Sequence, residues 1–217
     1  MPKEINLKKS TINEIKYGFY LATHPMRGFW EMKNEDKVSL RSAFIIIMLF
    51  FLSVLLKRQM TAWQFNPSNT EYLNVWKEFF MSVGPYGIWC LSSWCVTSLM
   101  DGQGTMKDIV KATACSLLPL LITNVLAVMV SHLVVQREAM FYLIITRAGL
   151  YWTLGLIFLS IVSIHEYTVF KSVSVTVISV IGMLVIAGLG ILLFYLVQQL
   201  IGFGMEVWKE FSLRIAE

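Results

Sequence analysis

The chain has 217 residues, of which 56% are hydrophobic and only 15% charged, where a soluble domain carries about 25% charge. That balance excludes an ordinary soluble enzyme and leaves no length for a second soluble domain beside the apolar runs. The net charge of +4 is small and gathers towards the start of the chain, through Lys3, Lys8, Lys9, Lys16, Arg27, Lys33, Lys37 and Arg41; it suits an anionic membrane surface and not nucleic acid.

Five stretches contain no Asp, Glu, Lys or Arg: 42–56, 79–100, 112–136, 148–165 and 172–205. A bilayer span takes about 20 apolar residues. Its backbone must satisfy its own hydrogen bonds there, so each stretch is predicted as a helix. The expected fold is all-α, a polytopic membrane bundle of five transmembrane helices behind amphipathic cytoplasmic helices. It divides into a cytoplasmic amphipathic segment 1–41, a five-span membrane domain 42–205 and a short C-terminal tail 206–217. The polar start offers no apolar h-region for a signal peptide.

In the first segment Ile12, Ile15, Phe19 and Ala22 recur at helical spacing, and Pro25 interrupts them. A second amphipathic piece sets Met26, Phe29 and Trp30 against Arg27, Glu31 and Lys33. Such helices lie in the headgroup plane or pack on the ends of the spans. The first span, 42–56, is short and needs extension from Val38 to Met60, with Lys57 and Arg58 snorkelling outward. The loop 57–82 is rich in aromatic residues suited to the membrane interface, among them Trp63, Phe65, Tyr72, Trp76 and Phe79.

The second span is expected over about Gly84–Met100 and leads into a tight turn, Asp101 to Asp108. Gly102 and Gly104 are expected to take positive φ, and Thr105 to cap the next helix with Asp108 closing a capping box. The turn lacks the spacing of a phosphate-binding loop. The third span carries Pro119, which predicts a kink. The fourth covers about Ala148–Ile164. The last run, 172–205, is too long for one upright span and must tilt, bend or emerge, with Gly182, Gly188, Gly190, Gly202 and Gly204 as places to bend or pack closely.

With five spans and the N-terminus inside, the inner segments hold eleven Lys and Arg and the outer segments seven. This bias predicts a multi-pass cell-membrane protein with a cytoplasmic N-terminus. No catalytic, cofactor or metal constellation is expected. His24, His132 and His165 are scattered, and Cys90, Cys95 and Cys115 fall in apolar runs without a CxxC pair. Asn124 is the one strongly polar side chain in mid-span and reads as glue between helices.

Several stretches in order carry a resemblance. His24-Pro-Met-Arg-Gly-Phe precedes the first span, Asp101–Asp108 forms a glycine turn, Leu118-Pro119-Leu120 lies in span three, and Ile164-His-Glu-Tyr167 with Lys171 follows span four. Together they resemble the Yip-domain family (the Ypt-interacting protein superfamily) in its short bacterial form. The resemblance implies a five-helix bundle with no catalytic activity. Eukaryotic members act in vesicle trafficking with small GTPases. This chain lacks their long acidic N-terminal segment, and Gly84-Pro85-Tyr86 is at most an echo of their Tyr-Gly-Pro motif.

Similar bacterial members imply an accessory role in a carbohydrate ABC importer, with its permease subunits and the lipid bilayer as partners. The leading expectation is therefore a non-enzymatic accessory or scaffold subunit of a membrane complex. Candidate partner contacts are Trp63, Trp76, Phe79, Gly182, Gly188 and Gly190. The alternatives are a channel or transporter in its own right, which would need Asn124, His132, Gln198 and Gln199 to converge, and a membrane-shaping or trafficking protein.

Overall fold

A computed structural model describes residues 11–66 and 73–216, apart from the side chains of 11–12, 210 and 212–216. Expectations for Lys3, Lys8, Lys9 and Tyr72, and for the side chain of Ile12, lie outside the described residues. Among the described residues eight α-helices follow one another: α1 (Thr11–Thr23), α2 (Pro25–Glu35), α3 (Leu40–Met60), α4 (Val75–Leu99), α5 (Met106–Ser116), α6 (Leu118–Leu133), α7 (Ala139–His165) and α8 (Val169–Ala216).

Local chemistry sets the boundaries. Pro25 opens α2, where its missing N–H is no loss. Ser39 caps α3 by accepting from the Ser42 amide, and Asn74 caps α4 by accepting from the Lys77 amide at 3.1 Å. The Thr105–Asp108 capping box is present in both directions. Pro119 does more than kink its span: the helix breaks at Leu117, with α5 before it and α6 after. Pro cannot donate the amide bond that would join them.

α1 and α2 pack on one end of the bundle. Leu21, Phe29, Met32 and Val38 are fully or almost fully buried there, in one cluster with Ile46, Ala112, Cys115, Leu118 and Ile164. Gly18 lets α1 approach Leu118 closely. The sequence put Met26 and Trp30 on the same face as Phe29. The buried face of α2 is instead Gly28, Phe29 and Met32, while Met26 and Trp30 stay about half exposed. The α2 helix both docks on the bundle and offers apolar rings at its rim.

Among the described residues four helical segments are long and apolar enough to cross a membrane: Leu40–Met60, Met106–Leu133, Gln136–His165 and Val169–Lys209. This corrects the expected five. The one that falls short is α4, not the short first run, which extends to a helix of 21 residues. Freedom from charge is a weaker condition than apolarity. Ser82, Gly84, Pro85, Tyr86, Gly87, Ser92, Ser93, Thr97 and Ser98 dilute α4.

The chain nonetheless runs the length of the bundle through α4. Its first turn meets the last turn of α3, where Arg58 pairs with Glu78. Its last turn reaches the end of α7, where the Tyr167 hydroxyl donates to the Met100 carbonyl at 2.9 Å.

The last run forms one continuous helix of 48 residues, α8, which the glycines do not break. Its beginning packs on α4: Ser92 Oγ donates to the Ser179 carbonyl at 2.6 Å, and Val175 is fully buried. From Leu189 to Phe211 its described large apolar side chains are exposed.

Candidate functional site: two polar ends and a free helix

At the end carrying α1 and α2, three chain segments meet. The first is the turn after α4. Asp101 takes the left-handed conformation (φ 56°), and the Gly102 amide donates back to the Thr97 carbonyl at 2.8 Å, a Schellman closure of α4. No described glycine has positive φ, which corrects the expectation for Gly102 and Gly104. They are needed for close approach instead. A Cβ on Gly102 would meet His165 Nδ1 at 2.5 Å and the Thr97 carbonyl at 2.8 Å, and one on Gly104 would strike Ile164 and His165.

The second segment is the turn after α7. His165 is almost fully buried and accepts from the Gly104 amide through Nδ1 at 3.3 Å, which places the ring proton on Nε2. Its ring stacks on Tyr167 at 5.4 Å, and Lys171 Nζ sits 4.3 Å above the Tyr167 ring. Burial and the nearby Asp101 carboxylate push the Tyr167 hydroxyl up from its ordinary pKa. Glu166, left-handed at φ 55°, turns the other way.

The third segment comes from α2 and the α2–α3 linker. Lys33 Nζ reaches Glu166 at 3.2 Å and Gln103 at 3.5 Å, tying α2 to both turns. Lys111 pairs with Asp36 at 2.5 Å, and the Ser39 amide donates to Glu14 at 2.7 Å. Tyr17 donates to the Gly28 carbonyl at 2.8 Å, and burial together with Glu31 pushes its hydroxyl pKa up. An Arg27 hydrogen bond holds Glu31 below its ordinary value. An open groove of about 440 Å³ lies beside this cluster, between α2 and the end of α7.

At the far end, the loop after α3 folds back on α6 and α7. The Ala62 amide donates to Ser131 Oγ at 3.1 Å, Gln64 donates to the Val134 carbonyl at 2.9 Å, and Phe65 stacks on Tyr142 at 5.1 Å. Lys57 does not simply snorkel. Its Nζ donates to Asn124 Oδ1 at 3.2 Å, and Asn124 donates to Ser53 Oγ at 3.3 Å. Asn124 is thus the expected glue, between α3 and α6. His132 meets the Met60 carbonyl at 2.7 Å, while Gln198 and Gln199 are exposed on the distal part of α8. The structure does not bring these four polar residues together.

The candidate partner contacts separate. Trp63 is 89% exposed and Trp76 74% exposed, whereas Phe79 packs edge-on against Phe51 at 5.3 Å. Gly182 is covered from within, since a Cβ there would meet Ser92 Oγ at 2.6 Å. Gly188 and Gly190 face open space. The sequence reading missed the close contact of Gly149 of α7 with Thr123 of α6. It also missed the docking of His165 on the glycine turn. Both join residues far apart in sequence, and neither has a local signal.

Among the described residues no group of three or more His, Cys, Asp or Glu could hold a metal ion. Comparison with known protein families matches residues 19–208 to the Yip1 domain. No curated protein and no solved structure matches this chain.

Proposed function

Because the chain belongs to the Yip1 domain family, a family of non-catalytic membrane proteins, we propose that it is a non-enzymatic scaffold that assembles with other membrane proteins and organises the membrane around it. The reading is of the trafficking or membrane-shaping kind. The carbohydrate-importer association implied by the likeness to short bacterial members gains no support from the fold or the family match, and the trafficking alternative takes its place.

The observation that carries the proposal is α8. Its uncharged stretch, 172–205, holds 34 residues, about 51 Å of helix. A hydrocarbon core of about 30 Å takes in about 26 helical residues even at a tilt of about 40°. Several apolar residues therefore remain outside the hydrocarbon, and the helix has no cover from its own bundle beyond its first turns. Protein contact is the physical remedy. In the bilayer such contact is driven by close packing at small residues, which Gly188 and Gly190 permit.

Beside the four apolar segments, the proposal takes α4 across the membrane as a more polar helix, with a cytoplasmic N-terminus. The ends of α4 lie at opposite ends of the bundle, and its most polar face is turned inward, with Ser92, Ser93 and Thr97 each about 1% exposed. The Lys and Arg bias supports the orientation. A solute path of its own is disfavoured, because the polar residues it needs are dispersed.

Affinity recovery of the full chain from native membranes in mild detergent tests the function. A stoichiometric membrane partner is the expected result. Protein that purifies without a partner and moves a solute across liposomes by itself would overturn it.

A further inference from the structure

At the far end of the bundle a cavity of about 240 Å³ opens between α3, α4 and α7. Its cations, Lys57 and Arg58, come from the last turn of α3, and its carboxylate, Glu78, from the first turn of α4. Arg58 and Glu78 are already paired. Among the described residues Lys57 makes no ion pair, and its ammonium donates to the neutral Asn124 amide. An ammonium has three donors, so two remain for the cavity. The described lining carries a net charge of +1, from two cations and one carboxylate.

We infer that this cavity binds the phosphate group of an anionic phospholipid, with Lys57 Nζ as its point charge. Depth is the first argument. Lys57 stands in the last turn of a candidate span, at headgroup level, yet turns inward to Asn124 instead of outward to water. Partner chemistry is the second. A cation drawn away from water is costly unless an anion answers it, and basic pockets between spans are suited to anionic headgroups.

Shape is the third argument. The cavity is too small for a whole lipid, but Met60, Phe141 and Ile144 are exposed on the α3 and α7 flanks, where acyl chains can lie.

The test uses the full chain, delipidated in mild detergent and titrated with short-chain phosphatidylglycerol, short-chain phosphatidylcholine and inorganic phosphate. Binding is read by native mass spectrometry. Phosphatidylglycerol is expected to bind roughly tenfold more tightly than phosphatidylcholine, and Lys57→Gln to remove about that factor, as for one charge-assisted hydrogen bond. Lys57→Arg should retain binding, and Lys107→Gln, at the opposite end, should not change it.

Glu78→Gln frees Arg58 and should tighten phosphatidylglycerol binding, a gain that misfolding cannot imitate. Equal binding of the two lipids, or no loss in a folded Lys57→Gln, would overturn the inference. So would a Glu78→Gln variant without the gain. Inorganic phosphate binding as tightly as the lipid would assign a soluble-anion site and overturn the lipid assignment.

Discussion

Gly102 and Gly104 are glycine because His165 and Ile164 occupy the space a side chain would need. The distinction from a positive-φ requirement is testable. A φ requirement penalises β-branched residues most, whereas a contact requirement penalises alanine already. Gly104→Ala should lower stability by about 1–3 kcal/mol, the range for overpacking, read as a drop in thermal midpoint in detergent. Lys107→Ala, on an exposed side chain of the same region, should leave the midpoint unchanged.

The left-handed residue of the turn is Asp101. Asp101→Gly should therefore be tolerated or mildly stabilising, and Asp101→Val should cost about 1–2 kcal/mol. An Asp101→Gly variant less stable than Asp101→Val would contradict this account of the turn.

At the scale of elements, α8 contains two kinds of glycine. Gly182 is packed against Ser92 of α4, and Gly188 faces open space. Gly182→Leu should separate α8 from α4 and reduce folded yield. Gly188→Leu should keep the yield and weaken partner recovery. Equal effects of the two substitutions on yield would remove the case for a free face.

The elements most legible in the sequence are those written locally. Uncharged runs announced α3, α7 and α8, Pro119 announced a kink where the α5–α6 break lies, and Thr105 with Asp108 announced a cap. What could not be read joins distant positions: Lys33 to Glu166, Lys57 to Asn124, Gly149 to Thr123 and His165 to Gly104. Each partner looks ordinary alone, and only the packing of helices brings it to the other. The misjudged polarity of α4 has a different cause. Counting charges overlooks hydroxyls and glycines, which are tolerated in a helix when their face is turned to its neighbours.

For the whole molecule, topology and association are linked. If α4 crosses, Trp63 and Gln136 lie on the same side of the membrane, because α4 and the α5–α6 pair both intervene. If α4 stays on one side, they lie on opposite sides. With Cys90, Cys95 and Cys115 replaced, single cysteines at Trp63 and Gln136 should label together with an impermeant reagent. Labelling from opposite sides would remove the fifth crossing.

The claim that depends most on the whole structure is that the distal half of α8 is a protein contact and not merely lipid-facing. A photoreactive amino acid at Leu192, 65% exposed on that half, tests it in native membranes. The account predicts a discrete crosslinked protein band that Gly188→Leu diminishes, with no comparable band from Val175, which is buried within the bundle. Lipid adducts alone at Leu192, with full-length protein folded and present, would contradict it.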